Sequence, residues 1–132
     1  MYVTTCAPSF VQEASVLALE KGQPEIDKMV AEYRRRRDYA VEALNSIPGL
    51  SCQKPDGAFY IFLNVKRLGR PCEELASYYL EEAGLAMVPG TAFGSLGEGY
   101  IRLSYACSYE NIAVACQKLK EATEKLMNPP LS

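Results

Sequence analysis

The sequence contains no histidine and no tryptophan, and none of its apolar runs reaches the length of a membrane span. The absence of histidine excludes zinc sites that use this residue, and it excludes Ser-His and Cys-His nucleophile systems. Most hydrolase mechanisms are thereby excluded as functions of this chain. The first residues also lack the basic, apolar and cleavage regions of a signal peptide. We therefore expect a cytoplasmic protein that has no membrane as a partner.

The chain has no excess of basic residues, because 14 Lys and Arg stand against 16 Asp and Glu, giving a net charge of −2. Binding to nucleic-acid phosphates needs a basic face, so nucleic acid is not an expected partner. The length of 132 residues suits one domain with a modest core. We predict a single domain over 1–132, with a lead-in and short helix at 1–24, a long helix at 25–46 and a core at 50–127.

The five cysteines are odd in number, and they form neither a Cys-x-x-Cys pair nor a recognisable disulfide framework. We interpret them as small, half-buried hydrophobic residues in a reducing compartment. No metal site is expected. The five cysteines are Cys6, Cys52, Cys72, Cys107 and Cys116.

Apolar periodicity predicts two helices in the first third of the chain. The first covers residues 10–19 and ends at Gly22, and the second begins after Pro24 and ends before Pro48. The second helix has an apolar stripe formed by Ile26, Met29, Val30, Tyr33, Arg37, Ala40, Val41 and Leu44. So long a helix in so small a domain is expected to reach beyond the domain's own core.

Short strands and two more helices are predicted in the remainder. Strands are expected at 50–53 and 59–65, joined by a Lys-Pro-Asp-Gly turn, and at 85–88 and 100–105. A third helix runs from Pro71 to Gly84, and Ser108 caps a fourth that reaches Met127. The apolar face of the third helix is predicted to consist of Leu75, Ala76, Tyr79, Leu80 and Ala83. The order α-α-β-β-α-β-β-α indicates an α+β fold, in which helices cover a small, mainly antiparallel sheet.

Three patterns resemble functional motifs but lack the context that the chemistry requires. The glycine-rich segment 89–99 is followed by a strand, whereas a phosphate-binding loop leads into a helix. Ser51-x-x-Lys54 lies on a predicted strand, whereas the Ser-x-x-Lys nucleophile motif opens a helix. The four arginines 34–37 point in different directions around a helix, which favours a solvated face with one member lying along the surface.

Arg102 is the strongest candidate for a binding residue. Its predicted strand places Ile101, Leu103 and Tyr105 on one face and Arg102 with Ser104 on the other. A guanidinium in such apolar surroundings needs a partner, and its planar fork suits a carboxylate. The residues alone leave two alternatives open, a bound carboxylate ligand or a structural salt bridge to an acid such as Glu98. Phe59 is by itself a typical sheet-face aromatic.

Four segments in order resemble class I/II aminotransferases of fold type I, and most closely their bacterial and archaeal aspartate aminotransferase branch. The first runs from Thr5-Cys6-Ala7-Pro8-Ser9 through the long helix to Ile47-Pro48-Gly49, and the second is Lys54-Pro55-Asp56-Gly57-Ala58-Phe59-Tyr60. The third is Val88-Pro89-Gly90-Thr91-Ala92-Phe93-Gly94, and the fourth is Gly99-Tyr100-Ile101-Arg102-Leu103-Ser104-Tyr105-Ala106. The resemblance covers residues 4–126, nearly the whole chain.

The resemblance implies that this chain is the carboxy-terminal small domain of a longer enzyme that uses pyridoxal 5'-phosphate (PLP) to move an amino group between an amino acid and a 2-oxo acid. It assigns Arg102 to the substrate α-carboxylate, Phe59 to the vicinity of the substrate side chain, and Gly90, Thr91 and Phe93 to a loop beside the pocket. The large domain of the same longer polypeptide would be the partner of this small domain, and the complete enzyme would be a homodimer.

The chain departs from the family pattern at the cofactor. The family's Schiff-base lysine lies in a Ser-x-x-Lys segment followed by Gly-x-Arg, and none of the seven lysines here has that context. We therefore expect no catalytic residue in this chain, no PLP bound to it and no activity from it alone. Two alternatives remain open: a PLP-dependent lyase or synthase on the same scaffold, and a non-catalytic carboxylate-binding domain.

Overall fold

A computed structural model describes residues 6–128. These residues form two compact units that divide between Glu32 and Tyr33, inside the second helix. Helix α1 spans Ser9–Lys21 and helix α2 spans Gln23–Asn45. No helix in the described part of the chain is both long and apolar enough to cross a membrane. The single domain predicted over residues 1–132, with its three subdivisions, stays a prediction.

The first unit contains α1, none of whose residues is buried. Its large apolar side chains include Phe10 and Leu19, which are 73% and 87% exposed. The predicted stripe of α2 is only partly correct, because Ile26, Met29 and Val30 are exposed. The core of the second unit takes only the later part of that stripe, where Ala40 and Leu44 are buried.

The second unit contains a three-stranded antiparallel sheet and two more helices. Strand β1 spans Tyr60–Asn64, helix α3 Cys72–Ala83, strand β2 Val88–Pro89, strand β3 Tyr100–Ser104 and helix α4 Tyr109–Met127. The strand order is β1-β3-β2. The predicted α+β class with a small antiparallel sheet is therefore confirmed, although the element order has one strand fewer.

The strand predicted at residues 50–53 is wrong, since only a single bridge joins Ser51 to Asn64. The side-chain amide of Asn45 instead binds the next residue, Cys52, to the end of α2. It accepts a hydrogen bond from the backbone nitrogen of Cys52 at 2.8 Å and donates one to the Cys52 carbonyl at 3.0 Å. Ser51 exchanges both of its backbone hydrogen bonds with Asn64, so these groups of Cys52 point away from β1, and a ladder would have to continue through Gln53.

The turn at 54–57 does not join a hairpin, because β1 pairs with β3. The positive φ of 57° belongs to Ala58, not to the glycine that precedes it. Two bonds hold this segment: the Tyr105 hydroxyl donates to the Ala58 carbonyl at 2.9 Å, and Arg37 Nη1 donates to the Pro55 carbonyl at 3.1 Å. Arg37, whose side chain is 16% exposed, lies against the surface. It is not alone in the 34–37 run, because Arg35 lies over the ring of Tyr109 and Arg36 over that of Tyr33.

The strand predicted at 85–88 is shifted to Val88–Pro89. Gly84 caps α3 with a left-handed φ of 66°, and the Leu85 nitrogen then donates to the Tyr79 carbonyl at 3.1 Å. That bond completes the helix end, so Leu85 is not available to a strand. Leu80 was also predicted to be on the buried face of α3, but it is 53% exposed.

The core lies between one face of the sheet and helices α2, α3 and α4. Alternate residues of β1 are fully buried, namely Ile61 and Leu63, as is Ile101 on β3. Helix α4 contributes one buried stripe, with Ile112, Cys116, Leu119 and Thr123 buried and Leu126 half-buried. Burial raises the pKa of the Cys116 thiol to about 11, as expected for a structural cysteine. Cys6 and Cys107 differ from the prediction, since both are exposed.

Candidate functional site

The face of the sheet that points away from the core carries arginine and aromatic side chains. Antiparallel pairing places Phe62 opposite Arg102, and Tyr60 opposite Ser104. Phe62 and Tyr60 are 41% and 36% exposed, and Arg102 is half-buried. Together with Tyr100 they line an open depression on this side of the unit. The strand alternation of Arg102 and Ile101 was predicted correctly, and it directs the guanidinium into this depression.

Arg102 contacts two aromatic rings. The guanidinium carbon lies 4.4 Å from the centre of the Tyr60 ring and 4.6 Å from the centre of the Phe93 ring. Among residues 6–128, none forms an ion pair with Arg102 or accepts a hydrogen bond from it. A guanidinium carries five N–H donors. Those of Arg102 are therefore available to an acceptor, and a carboxylate is the acceptor that fits such a fork best.

Glu98, the acid that the sequence offered as a salt-bridge partner of Arg102, is bonded elsewhere. Its carboxylate accepts hydrogen bonds from the backbone nitrogens of Cys72 at 2.9 Å and Gly99 at 3.0 Å. Helix α3 begins after Pro71 and has no side-chain cap of its own. Glu98 thus supplies from a distant segment the acceptor that the first turn of α3 lacks.

The glycine-rich loop is held to the same helix at a second point. The hydroxyl of Thr91 donates to Oε1 of Glu73 at 2.9 Å. Gly90 and Gly97 touch each other so closely that a Cβ on Gly90 would lie 2.1 Å from the Gly97 carbonyl oxygen. The glycine-rich segment 89–99 contains two tight 3-10 turns, Gly90–Phe93 and Ser95–Gly97.

The structure brings some of the predicted site residues together and leaves others apart. Arg102 and Phe93 are in contact, while Gly90 and Thr91 shape the loop that carries Phe93. Phe59 has no ring contact with Arg102 in the described residues; it packs against Tyr60, with ring centres 4.5 Å apart. Sequence reasoning missed the roles of Tyr60 and Glu98. The absence of a capping residue at Pro71 was a signal that some other group must bond to the start of α3.

Hydrogen bonds from backbone nitrogens hold the pKa of Glu98 below its usual value of 4.5, the bond from Cys72 being the main cause. A carboxylate with a lowered pKa stabilises the folded state above its unfolded-state pKa, and this stabilisation is lost as the pH falls through the folded-state value. We expect thermal unfolding temperatures of the 132-residue chain to drop more steeply below about pH 4.5 than those of Glu98→Gln, which cannot titrate.

Thermal scans between about pH 6 and pH 3 test this expectation. The variant should melt a few degrees lower at neutral pH, and the difference should shrink as the pH falls. A difference that stays constant with pH would contradict the role of Glu98 as an ionised cap.

The lysines of this chain do not fit a PLP Schiff-base site. Such a lysine is activated by burial or by a neighbouring cation, whereas all seven side chains here are exposed. Lys54 lines the depression beside Arg102, but its ammonium pairs with Asp38 at 2.8 Å. Lys125 pairs with Glu82, which raises the pKa of that lysine. The part of the chain that the structure describes also has no group of acidic or cysteine side chains able to hold a metal ion.

Comparison with known proteins places the chain in a family. Residues 1–119 match the model of aminotransferase class I and II, so the chain belongs to that family. It is 44% identical over 124 residues to the putative aminotransferase YugH of Bacillus subtilis, covering 94% of this chain and 32% of that protein. It is 40% identical over 125 residues to an aspartate aminotransferase of Pyrococcus horikoshii, covering 93% of this chain and 32% of that protein.

The fold agrees with that of solved structures in the family. An aromatic aminotransferase from Pyrococcus horikoshii OT3 superposes with a TM-score of 0.88 at 39% identity, over 96% of this chain and 34% of that one. The chain therefore spans about a third of the length of the relatives that it matches.

Proposed function

We propose that this chain is the carboxy-terminal small domain of a PLP-dependent aminotransferase and that it supplies the arginine that binds the substrate α-carboxylate. Family membership and the coverage of about a third of each relative support the first part. Arg102 supports the second part, because it is a half-buried guanidinium that no described residue satisfies. It also lies in the segment 99–106, whose resemblance to the family's final motif implies this role.

In this proposal, Arg102 fixes the carboxylate of an amino acid or a 2-oxo acid by two parallel, charge-assisted hydrogen bonds. This bidentate pair orients the substrate, and orientation supplies much of the rate enhancement in reactions of bound molecules. PLP and its lysine belong to the large domain of the complete protein, which we expect to be a homodimer. The small domain alone is inactive.

Transamination by the complete protein tests the proposal. With PLP and 2-oxoglutarate, we expect amino-group transfer from aspartate or phenylalanine, the two kinds of donor that the named relatives suggest. Borohydride should then attach the cofactor to a lysine outside residues 1–132, and the 132-residue chain alone should remain unlabelled.

Three outcomes would count against it. Release of ammonia without amino-group transfer would identify a lyase on the same scaffold. Specific labelling of one of the seven lysines of this chain would contradict the division of labour between the domains. A complete protein that binds carboxylates but neither binds nor uses PLP would be a carboxylate-binding protein.

A further inference from the structure

The guanidinium of Arg102 lies between two rings that come from different parts of the unit. Tyr60 is the first residue of β1, which β3 separates from β2 in the sheet. Phe93 lies in the glycine-rich loop between β2 and β3. Both ring centres are within 4.6 Å of the guanidinium carbon. A cation this close to a ring face is attracted by the ring quadrupole, and arginine is the cation most often found there.

We propose that Phe93 and Tyr60 are positioning residues that hold the Arg102 guanidinium ready for the substrate carboxylate. This inference rests on the carboxylate role of Arg102 proposed above. An unrestrained arginine side chain has many rotamers, and ordering it during binding reduces the affinity. Two rings that order the guanidinium beforehand remove much of that cost. They do so without using any of its N–H donors, which stay available to the carboxylate.

The position of Phe93 is itself fixed by contacts on both sides of it. Thr91, two residues before it, is bonded to Glu73, and Glu98, five residues after it, is bonded to the backbone nitrogen of Cys72. Both bonds end in the first turn of α3. The Phe93 ring also meets the edge of Phe62, with ring centres 6.1 Å apart at 69°. The loop thus presents this ring at one place beside the arginine.

Tyr60 is held in a comparable way from the other side. It pairs with Ser104 in the sheet, and its ring packs against Phe59, whose ring in turn lies 6.1 Å from that of Tyr33 on α2. Sheet pairing fixes its backbone, and the neighbouring ring restricts its side chain. The two rings therefore form a clamp whose arms are anchored in separate elements, β1 and the loop.

The test compares an acid with its uncharged amide in the complete protein. Calorimetric titration gives Kd for 3-phenylpropanoate, which lacks an amino group and cannot react, and for 3-phenylpropanamide. The ratio of the amide Kd to the acid Kd measures the preference for a carboxylate. Arg102→Leu should abolish that preference. Phe93→Leu and Tyr60→Leu should each lower it by about three- to ten-fold, while Phe93→Tyr and Tyr60→Phe, which keep the ring, should preserve it within about two-fold.

The possible outcomes separate the clamp from the function on which it rests. If Arg102→Leu abolishes the preference while Phe93→Leu and Tyr60→Leu leave it unchanged, the clamp is wrong and the carboxylate role stands. If the leucine variants weaken acid and amide equally, the rings contact the apolar part of the ligand and the clamp is again wrong. A preference that is absent from the unsubstituted protein, or that survives Arg102→Leu, would overturn both proposals. Phe93 is 53% exposed, so its replacement does not endanger folding.

Discussion

Replacement of Arg102 by leucine in the complete protein should lower kcat/KM for its best amino donor by on the order of 100-fold. Two hydrogen bonds to a charged group contribute about 3 kcal/mol at the low end of their range, and a factor of 100 corresponds to about 2.7 kcal/mol. The side chain lies on the open face of β3, half-buried between two rings. Its loss should therefore remove binding without disturbing the core. Steady-state kinetics with varied amino acid measure the effect.

Arg102→Lys is the matched variant, because it keeps the positive charge and removes the planar fork. We expect it to recover part of the activity, to about a tenth of the unsubstituted value. The absorbance of bound PLP should be the same in all three proteins, since Arg102 is assigned to the substrate and not to the cofactor. Unchanged kinetics in both variants, or loss of the cofactor absorbance, would show that the assignment is wrong.

The second large effect is expected in the core. Ile61 is fully buried on β1, on the opposite face of the sheet from Arg102 and its rings. Ile61→Ala deletes buried carbon atoms and leaves a cavity, which costs about 3 kcal/mol of unfolding free energy. Ile61→Val should cost about 1 kcal/mol. Urea unfolding of the 132-residue chain, followed by far-UV circular dichroism, measures both.

The neighbouring residue provides the control for this experiment. Phe62→Ala removes a larger side chain from the same strand, but that side chain is 41% exposed on the open face. It should cost less than about 1 kcal/mol. A cost for Phe62→Ala that equals or exceeds that for Ile61→Ala would contradict the description of the sheet as buried on one face only.

Local signals were sufficient to predict the helices, because their determinants lie within a few residues. Ser108 was expected to cap α4, and its hydroxyl accepts a hydrogen bond from the Asn111 nitrogen at 3.2 Å. Gly84 was expected to end α3, and it has the left-handed conformation that such an end requires. The alternation of Ile101 and Arg102 across β3 follows from the strand period of two.

Contacts between distant residues account for the errors. The strand at 50–53 failed because pairing with β1 stops after Ser51, and no local pattern shows where a partner strand ends. Glu98 lies near Arg102 in sequence, but its carboxylate bonds to Cys72, 26 residues away. Apolar periodicity also does not tell a core residue from an exposed one, as Leu80 and Met29 show.

The candidate site was only half visible in the sequence for the same reason. The motif around Arg102 pointed to a carboxylate, but the two rings that contact it come from β1 and from the glycine-rich loop. Phe59, the aromatic that the family resemblance indicated, packs against Tyr60 and has no ring contact with the arginine among the described residues. The glycines of the loop permit its close backbone contacts, and those contacts in turn place Phe93.

The most direct test of the carboxylate role is a crystal structure of the complete protein with a bound substrate-like acid such as 3-phenylpropanoate. Both carboxylate oxygens should lie about 2.7–2.9 Å from guanidinium nitrogens of Arg102, as in bidentate pairs of this kind, with the guanidinium still between Tyr60 and Phe93. A carboxylate bound elsewhere, with Arg102 paired to an acidic residue of the large domain, would contradict that role.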